Sequence, residues 1–167
     1  MTPRLRAFVT ATACVLFSTC MISAAFAQEE SDDSLAIGYQ PAWYAMTGVT
    51  GGASFQEPGT GGYVGAEFSV VRLMQRAWVG GYLDATWDFG PDYLMVTAGP
   101  EVGYGFAGFD GGAGLRYDGD EVQFGPQGRF LLTVGIVSLY GRYAYWPDPD
   151  SHTIQAGAMF KLPVASW

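Results

Sequence analysis

The chain of 167 residues carries 16 acidic and 8 basic side chains, is 49% hydrophobic and 16% aromatic, and contains 24 glycines. So much apolar and aromatic content beside only 14% charged residues excludes a disordered chain. The acidic balance excludes a nucleic-acid binder that works through phosphate contacts, and the size suits one domain.

Residues 1–27 read as a cleavable signal peptide. Arg4 and Arg6 form a positive start, an uncharged apolar stretch follows from Ala7, and Ala25-Phe26-Ala27 supplies the small-x-small cleavage pattern before Gln28. The uncharged run is also long enough for an uncleaved anchor, but the cleavage pattern and the acidic residues after it favour removal. Phe17-Ser18-Thr19-Cys20 is a poor lipoprotein site, because Phe and Thr fit badly there and apolar sequence continues past the cysteine. Cleavage leaves six basic against sixteen acidic residues, a net charge of −10, and removes both Cys14 and Cys20. The exported chain then has neither disulfides nor thiol chemistry. Residues 28–34 form a short acidic tail, and residues 35–167 form the folded domain.

Beyond the tail no sustained apolar stripe at helical spacing occurs; period-two alternation recurs instead, punctuated by Gly, Pro and Asp. The pattern predicts strands over 35–46, 62–73, 77–88, 93–105, 110–117, 122–134, 136–146 and 152–162. An even count of eight closes an all-β, up-and-down antiparallel barrel with both termini at one end. Within each strand the charged residues share one parity and the large aliphatic residues mostly take the other. Val64, Phe68, Leu83, Trp87, Val96, Phe124, Phe130, Leu139, Ile154 and Phe160 sit on the apolar parity. Eight strands enclose a lumen too narrow for all these side chains, so the apolar face is predicted to point outward. That is the pattern of a transmembrane barrel rather than a soluble one. Tyr39, Trp43, Trp87, Tyr104, Tyr117 and Tyr145 share the outward parity, several near strand ends, as an interfacial aromatic girdle would. Pro41, Pro100 and Pro126 fall inside predicted strands on the outward parity, and bulges are expected there.

Glu67, Asp84, Glu101, Arg116, Arg129, Arg142 and Lys161 have inward parity. Buried charges must pair, so a lumen salt-bridge network is expected, acting as a plug rather than a gate. The parity places tight turns near Gln75-Arg76, Phe106–Phe109 and Gly135 at the periplasmic end. The outward connections are then Thr47–Gly61, Phe89–Asp92, Asp118–Glu121 and Pro147–Ser151. Thr47–Gly61, rich in glycine and including Phe55, reads as a mobile loop able to meet a surface partner. The outward connections and adjoining strand ends hold Glu57, Asp88, Asp92, Asp118, Asp120, Glu121, Asp148 and Asp150, with no Lys or Arg. This acidic rim repels lipopolysaccharide phosphates unless divalent cations bridge them. Asp118, Asp120 and Glu121 are weak metal-ligand candidates, because Asp118-Gly119 is first of all a hairpin signal. His152, the only histidine, neighbours Ser151 and Asp150, which makes these three weak candidates for a lipid hydrolase. Adjacent strand residues diverge, however, and no oxyanion hole is recognisable. No cofactor is expected.

These features resemble the small eight-stranded outer-membrane barrels of Gram-negative bacteria, the OmpA/OmpX-like group. The resemblance rests on the signal peptide, the amphipathic strands through Leu162 and the charged lumen, and includes no family-specific functional motif. It implies a monomer in the outer membrane among lipids and lipopolysaccharide, delivered by an insertion machinery that reads the last strand. A structural or surface-interaction role leads, with a narrow pore and a His152 lipid hydrolase as alternatives. The ending departs from the family pattern: Pro163 interrupts the final strand, and Trp167 is out of phase with Phe160 and Leu162 unless a bulge intervenes.

Overall fold

The computed structural model describes residues 41–56, 59–148 and 150–167. The signal-peptide, acidic-tail and Tyr39 assignments, together with Glu57, lie outside these residues. Eight strands form one closed antiparallel barrel in sequence order: β1 Ala42–Gln56, β2 Gly59–Leu73, β3 Ala77–Asp88, β4 Tyr93–Tyr104, β5 Ala107–Tyr117, β6 Val122–Val134, β7 Val137–Trp146 and β8 Ser151–Ser166. Cross-strand partners can be followed around the wall from Tyr44 through Val71, Gly80, Glu101, Asp110, Arg129, Arg142 and Gln155. The path returns to β1 at Ser54, ten residues further along. A stagger of that size over eight strands tilts each by about 40° from the barrel axis. At that tilt even the 10-residue β7 has the length that crosses a hydrocarbon layer, for which about 9–11 residues suffice.

The alternation resolves into an inside and an outside of opposite chemistry. Arg129, Asp84 and Asp110 are at most 1% exposed in the lumen, whereas Phe124 is 67% exposed and Leu139 59% on the wall. Val64, Phe68, Leu83, Trp87, Phe130, Ile154 and Phe160 join the exposed set. Val79 has the outward parity yet is buried, because it packs with Met74, Ala77 and Val102 near the β2–β3 turn. Closure gives every strand two partners and leaves no free sheet edge. The architecture is a closed, eight-stranded, up-and-down antiparallel barrel with a polar interior and an apolar outer wall.

The first strand and its loop differ from the sequence expectation. Among the described residues strand β1 runs over 42–56 and so passes the expected end at 46 by ten residues; most of Thr47–Gly61 is ladder and not mobile loop. Glycines were the misleading signal. A Cβ on Gly48 would stand 2.6 Å from the Phe160 carbonyl oxygen, and one on Gly52 would overlap that of Ala156. These glycines let β1 approach β8 closely, which is why they interrupt the apolar alternation without interrupting the strand. Phe55 consequently lies on the outer wall near the β1 end, 47% exposed.

The two ends are built differently. Gly105-Phe106 and Gly135-Ile136 are two-residue hairpins with the glycine at φ +60°, the form whose twist matches the flanking strands. Strand β5 thus starts at Ala107, not Asp110, and the expected Phe106–Phe109 turn contracts to two residues. The opposite end carries the longer connections 89–92, 118–121 and 147–150. No register shift occurs at Pro100 or Pro126, and Pro41 lies just before β1, so bulges are not how these prolines are accommodated. Instead, bridging between β4 and β5 skips Gly99 and Pro100, and the β6–β7 ladder begins only at Gln127. A missing N–H costs one ladder bond but no added residue. The register shift lies elsewhere, where Met46 pairs with Pro163 and Ala45 with Ala165. Skipping Val164 brings Trp167 opposite Trp43, with reciprocal backbone bonds of 3.1 Å.

The close approach at β1–β8 is testable. Gly52→Val should destabilise the folded barrel by about 1–3 kcal/mol through overpacking. Gly62→Ala, where a Cβ would meet only the Gly52 carbonyl oxygen at 3.6 Å, should be tolerated. Urea unfolding in lipid vesicles reads both, and equal midpoints for Gly52→Val and the parent would contradict the packing.

The charged lumen and the outer rim as candidate sites

The lumen is filled in layers. Near the short hairpins, Met46, Val71, Leu73 and Trp78 form an apolar cluster, with Trp78 lying against Gly103 and Gly108. Near the longer connections, Tyr93, Met95, Ala144 and Trp146 form a second cluster. Between them lies the charge. The Arg129 guanidinium binds Glu67 Oε2 at 2.6 Å, Asp110 Oδ2 at 2.6 Å and Asp84 Oδ2 at 3.3 Å. Arg142 also bonds Asp84, while Lys161 Nζ reaches Glu67 Oε1 at 2.6 Å and Glu101 Oε2 at 3.1 Å.

The strand register explains the pattern. Glu67 stands directly opposite Asp84, Glu101 opposite Asp110, and Arg129 opposite Arg142. Like charges in such positions repel, and the register offers relief along the wall only at β5–β6, where Asp110 stands opposite Arg129. The acids of the network occupy β2–β5 and its bases β6–β8, so beyond the Asp110–Arg129 pair the attraction acts across the lumen. Gly48 separates Lys161 from Glu67 in the register, and its missing side chain leaves the path between them open. Aromatic rings complete the packing: the Arg129 guanidinium lies 5.0 Å from the Tyr82 ring centre and 5.2 Å from that of Tyr140. The Tyr63 hydroxyl donates to Tyr140 at 2.6 Å, Thr50 joins the same oxygen at 2.5 Å, and Gln127 donates to the Tyr82 hydroxyl. A cavity of about 50 Å³ remains between the apolar layer and the Glu101–Lys161 pair.

Two residues depart from the expected constellation. Arg116 does not join the ion pairs. It lies half-buried nearer the longer connections, where its Nε donates to Gln123 Oε1 at 2.8 Å and Nη2 to Ser151 Oγ at 3.2 Å. Its guanidinium sits 5.3 Å from the Tyr93 ring centre and 5.0 Å from that of Trp146. Asp110, in contrast, is a full member that the sequence reading missed. It shares inward parity with Gly112, Gly114 and Arg116, a signal already present in the expected strand 110–117, which opens on Asp110.

The hydrolase candidates diverge. Ser151 Oγ accepts from Arg116 on the inner side, whereas His152 Nδ1 lies 2.6 Å from the Tyr143 hydroxyl on the outer wall, its ring beside those of Tyr143 and Tyr145. Asp150 accepts from the Tyr145 hydroxyl at 2.8 Å. No nucleophile–base pair results. Asp118 Oδ1 accepts the backbone N–H of Asp120 at 3.2 Å and of Glu121 at 3.0 Å, so it caps its own turn. Those amides hold the Asp118 carboxyl below the usual aspartate range. Among the described residues no group of three or more His, Cys, Asp or Glu side chains is placed to hold a metal, so Asp118, Asp120 and Glu121 form no such site. Trp43 and Tyr104 lie toward the short-hairpin end, and Trp87, Tyr117 and Tyr145 toward the other. All but the half-buried Tyr145 are exposed.

No family model matches the chain, and no curated protein matches it. Among solved structures it is similar to Neisserial surface protein A (NspA), with a TM-score of 0.47 and 9% identity over 72% of this chain and 96% of that one. It is also similar to Ail, the attachment invasion locus protein of Yersinia pestis, with a TM-score of 0.40 and 15% identity over 74% of this chain and 100% of that one.

The network yields a stability prediction. Arg129→Ala leaves three buried carboxylates without their shared cation and should cost about 3–5 kcal/mol in urea unfolding. Arg129→Lys should restore only part, because one ammonium cannot replace the planar fork. An unchanged midpoint for Arg129→Ala would refute the cross-lumen pairing.

Proposed function

We propose that the chain is an integral outer-membrane barrel with a structural or surface-interaction role, its lumen closed by the charged network. The observation that carries this reading is the inversion of polarity, with ion pairs inside and an apolar wall outside. The short hairpins then face the periplasm and the longer connections face outward. Cleavage after Ala27 delivers the chain for insertion, and the Trp43–Trp167 pair ends the strand that the insertion machinery reads. Surface contact falls to short, acidic connections, since residues 47–61 are largely built into β1 and β2. Exposed Asp92, Asp118, Asp120, Glu121, Asp148 and Asp150 favour bridging divalent cations between this rim and lipopolysaccharide phosphates.

A pore is the weaker reading because Arg129 and its partners occupy the axis. Lipid hydrolysis is weaker still, with Ser151 and His152 on opposite faces. The unboiled protein from the outer-membrane fraction should migrate faster than the boiled one, and the refolded barrel should give no stable conductance steps in planar bilayers. Recovery from the periplasm without a mobility shift would refute the membrane assignment; steady conductance steps would refute the plug.

A further inference from the structure

The lumen holds more negative than positive charge, and the excess has an address. Among the described residues five buried carboxylates face inward, those of Glu67, Asp84, Asp88, Glu101 and Asp110, against the buried cations Arg129, Arg142 and Lys161. Four of the five carboxylates are paired with those cations. Asp88 enters no ion pair, although it is 0% exposed. The sequence reading assigned it to the acidic rim, but its side chain is enclosed instead. Its Oδ1 accepts the Gly90 backbone N–H at 3.1 Å, and its Oδ2 has no partner.

Neutral hydroxyl oxygens lie on the same side of the lumen. Asp88 stands opposite Tyr93 in the register, and the Tyr93 hydroxyl lies beside Ser54. Tyr93 Oη and Ser54 Oγ are both buried, and the Tyr93 hydroxyl is within hydrogen-bond reach of Ser54 and Thr153. The half-buried Arg116 is turned toward Gln123 and Ser151, and forms no ion pair with Asp88. Above them the β3–β4 connection closes tightly over β2: a Cβ on Gly61 would stand 2.5 Å from the Gly90 nitrogen and 2.8 Å from Asp88 Oδ1. An enclosed, unpaired carboxylate costs several kcal/mol, so the free oxygen of Asp88 calls for a bound species.

We propose that Asp88, Tyr93 and Ser54 hold a sodium-sized monovalent cation in the outer part of the lumen, beneath the β3–β4 connection. The donor set decides the class. It consists of oxygen alone, which suits a hard cation, and it offers one carboxylate with neutral hydroxyls. Calcium sites gather several carboxylates and carbonyls, and magnesium keeps much of its water shell, so neither suits this enclosed pocket. A single positive charge matches a single unpaired acid. The site is independent of any surface role, and its failure would leave the mobility-shift and conductance results untouched.

The test compares heat unfolding of the full folded barrel in detergent micelles, in sodium chloride and in choline chloride at equal ionic strength. The midpoint should be higher in sodium, rising by about 3–5 °C for each tenfold increase in its concentration above half-saturation. Asp88→Asn should unfold at the same temperature in both salts, and Tyr93→Phe should show a reduced sodium increment. Equal midpoints of the parent protein in the two salts would overturn the proposal. A sodium increment that persists in Asp88→Asn would overturn it as well. If Asp88→Asn does not fold, the comparison of salts on the parent protein still decides.

Discussion

One guanidinium organises this barrel. Arg129 is reached by carboxylates from β2, β3 and β5 while standing on β6, so four of the eight strands meet in a single side chain. A chain whose large aliphatic residues mostly face outward has no continuous hydrophobic core to hold its strands in place. The interior must fix the wall by directional bonds, and the ion pairs fulfil that role where the apolar clusters at either end do not reach. Their arrangement also depends on the stagger. With a different offset per strand, Glu67, Asp84 and Asp110 would no longer lie at the level of Arg129.

Desolvation makes this device costly as well as specific. Each ion taken from water forfeits hydration that a single partner rarely returns. The lumen answers by sharing: Asp84 serves two arginines, Glu67 serves Arg129 and Lys161, and the flanking tyrosine rings face the guanidiniums. The segregation of acids on β2–β5 from bases on β6–β8 turns cross-strand repulsion into attraction across the lumen. It also places a strong internal field across the barrel, perpendicular to its axis.

Much of this was legible in the residues alone. Strict alternation located β3, β4, β6 and β7 to within a residue or two, and the parity of the charges identified which face turns inward. Legibility failed where close backbone approach replaced side-chain packing. Gly48, Gly51 and Gly52 gave β1 the composition of a loop, because glycine at a tight strand contact and glycine in a turn look the same in one dimension. The start of β5 was hidden for a related reason, since Gly108, Gly111 and Gly112 blur it. The pairing of individual charges was beyond reach: parity says that Arg116 points inward, but only the axial level separates it from the carboxylates.

The ladder between β6 and β7 has a mechanical consequence. It starts at Gln127 although β6 begins at Val122, and Pro126 has no N–H to extend it. The seam that joins the chain's first and last strands is, by contrast, zipped from Tyr44 to Gln56. A cylinder under lateral stress parts along its least-stitched line. Here that line runs between two strands consecutive in sequence, so the wall can splay at its outer end without separating the strands that close the ring.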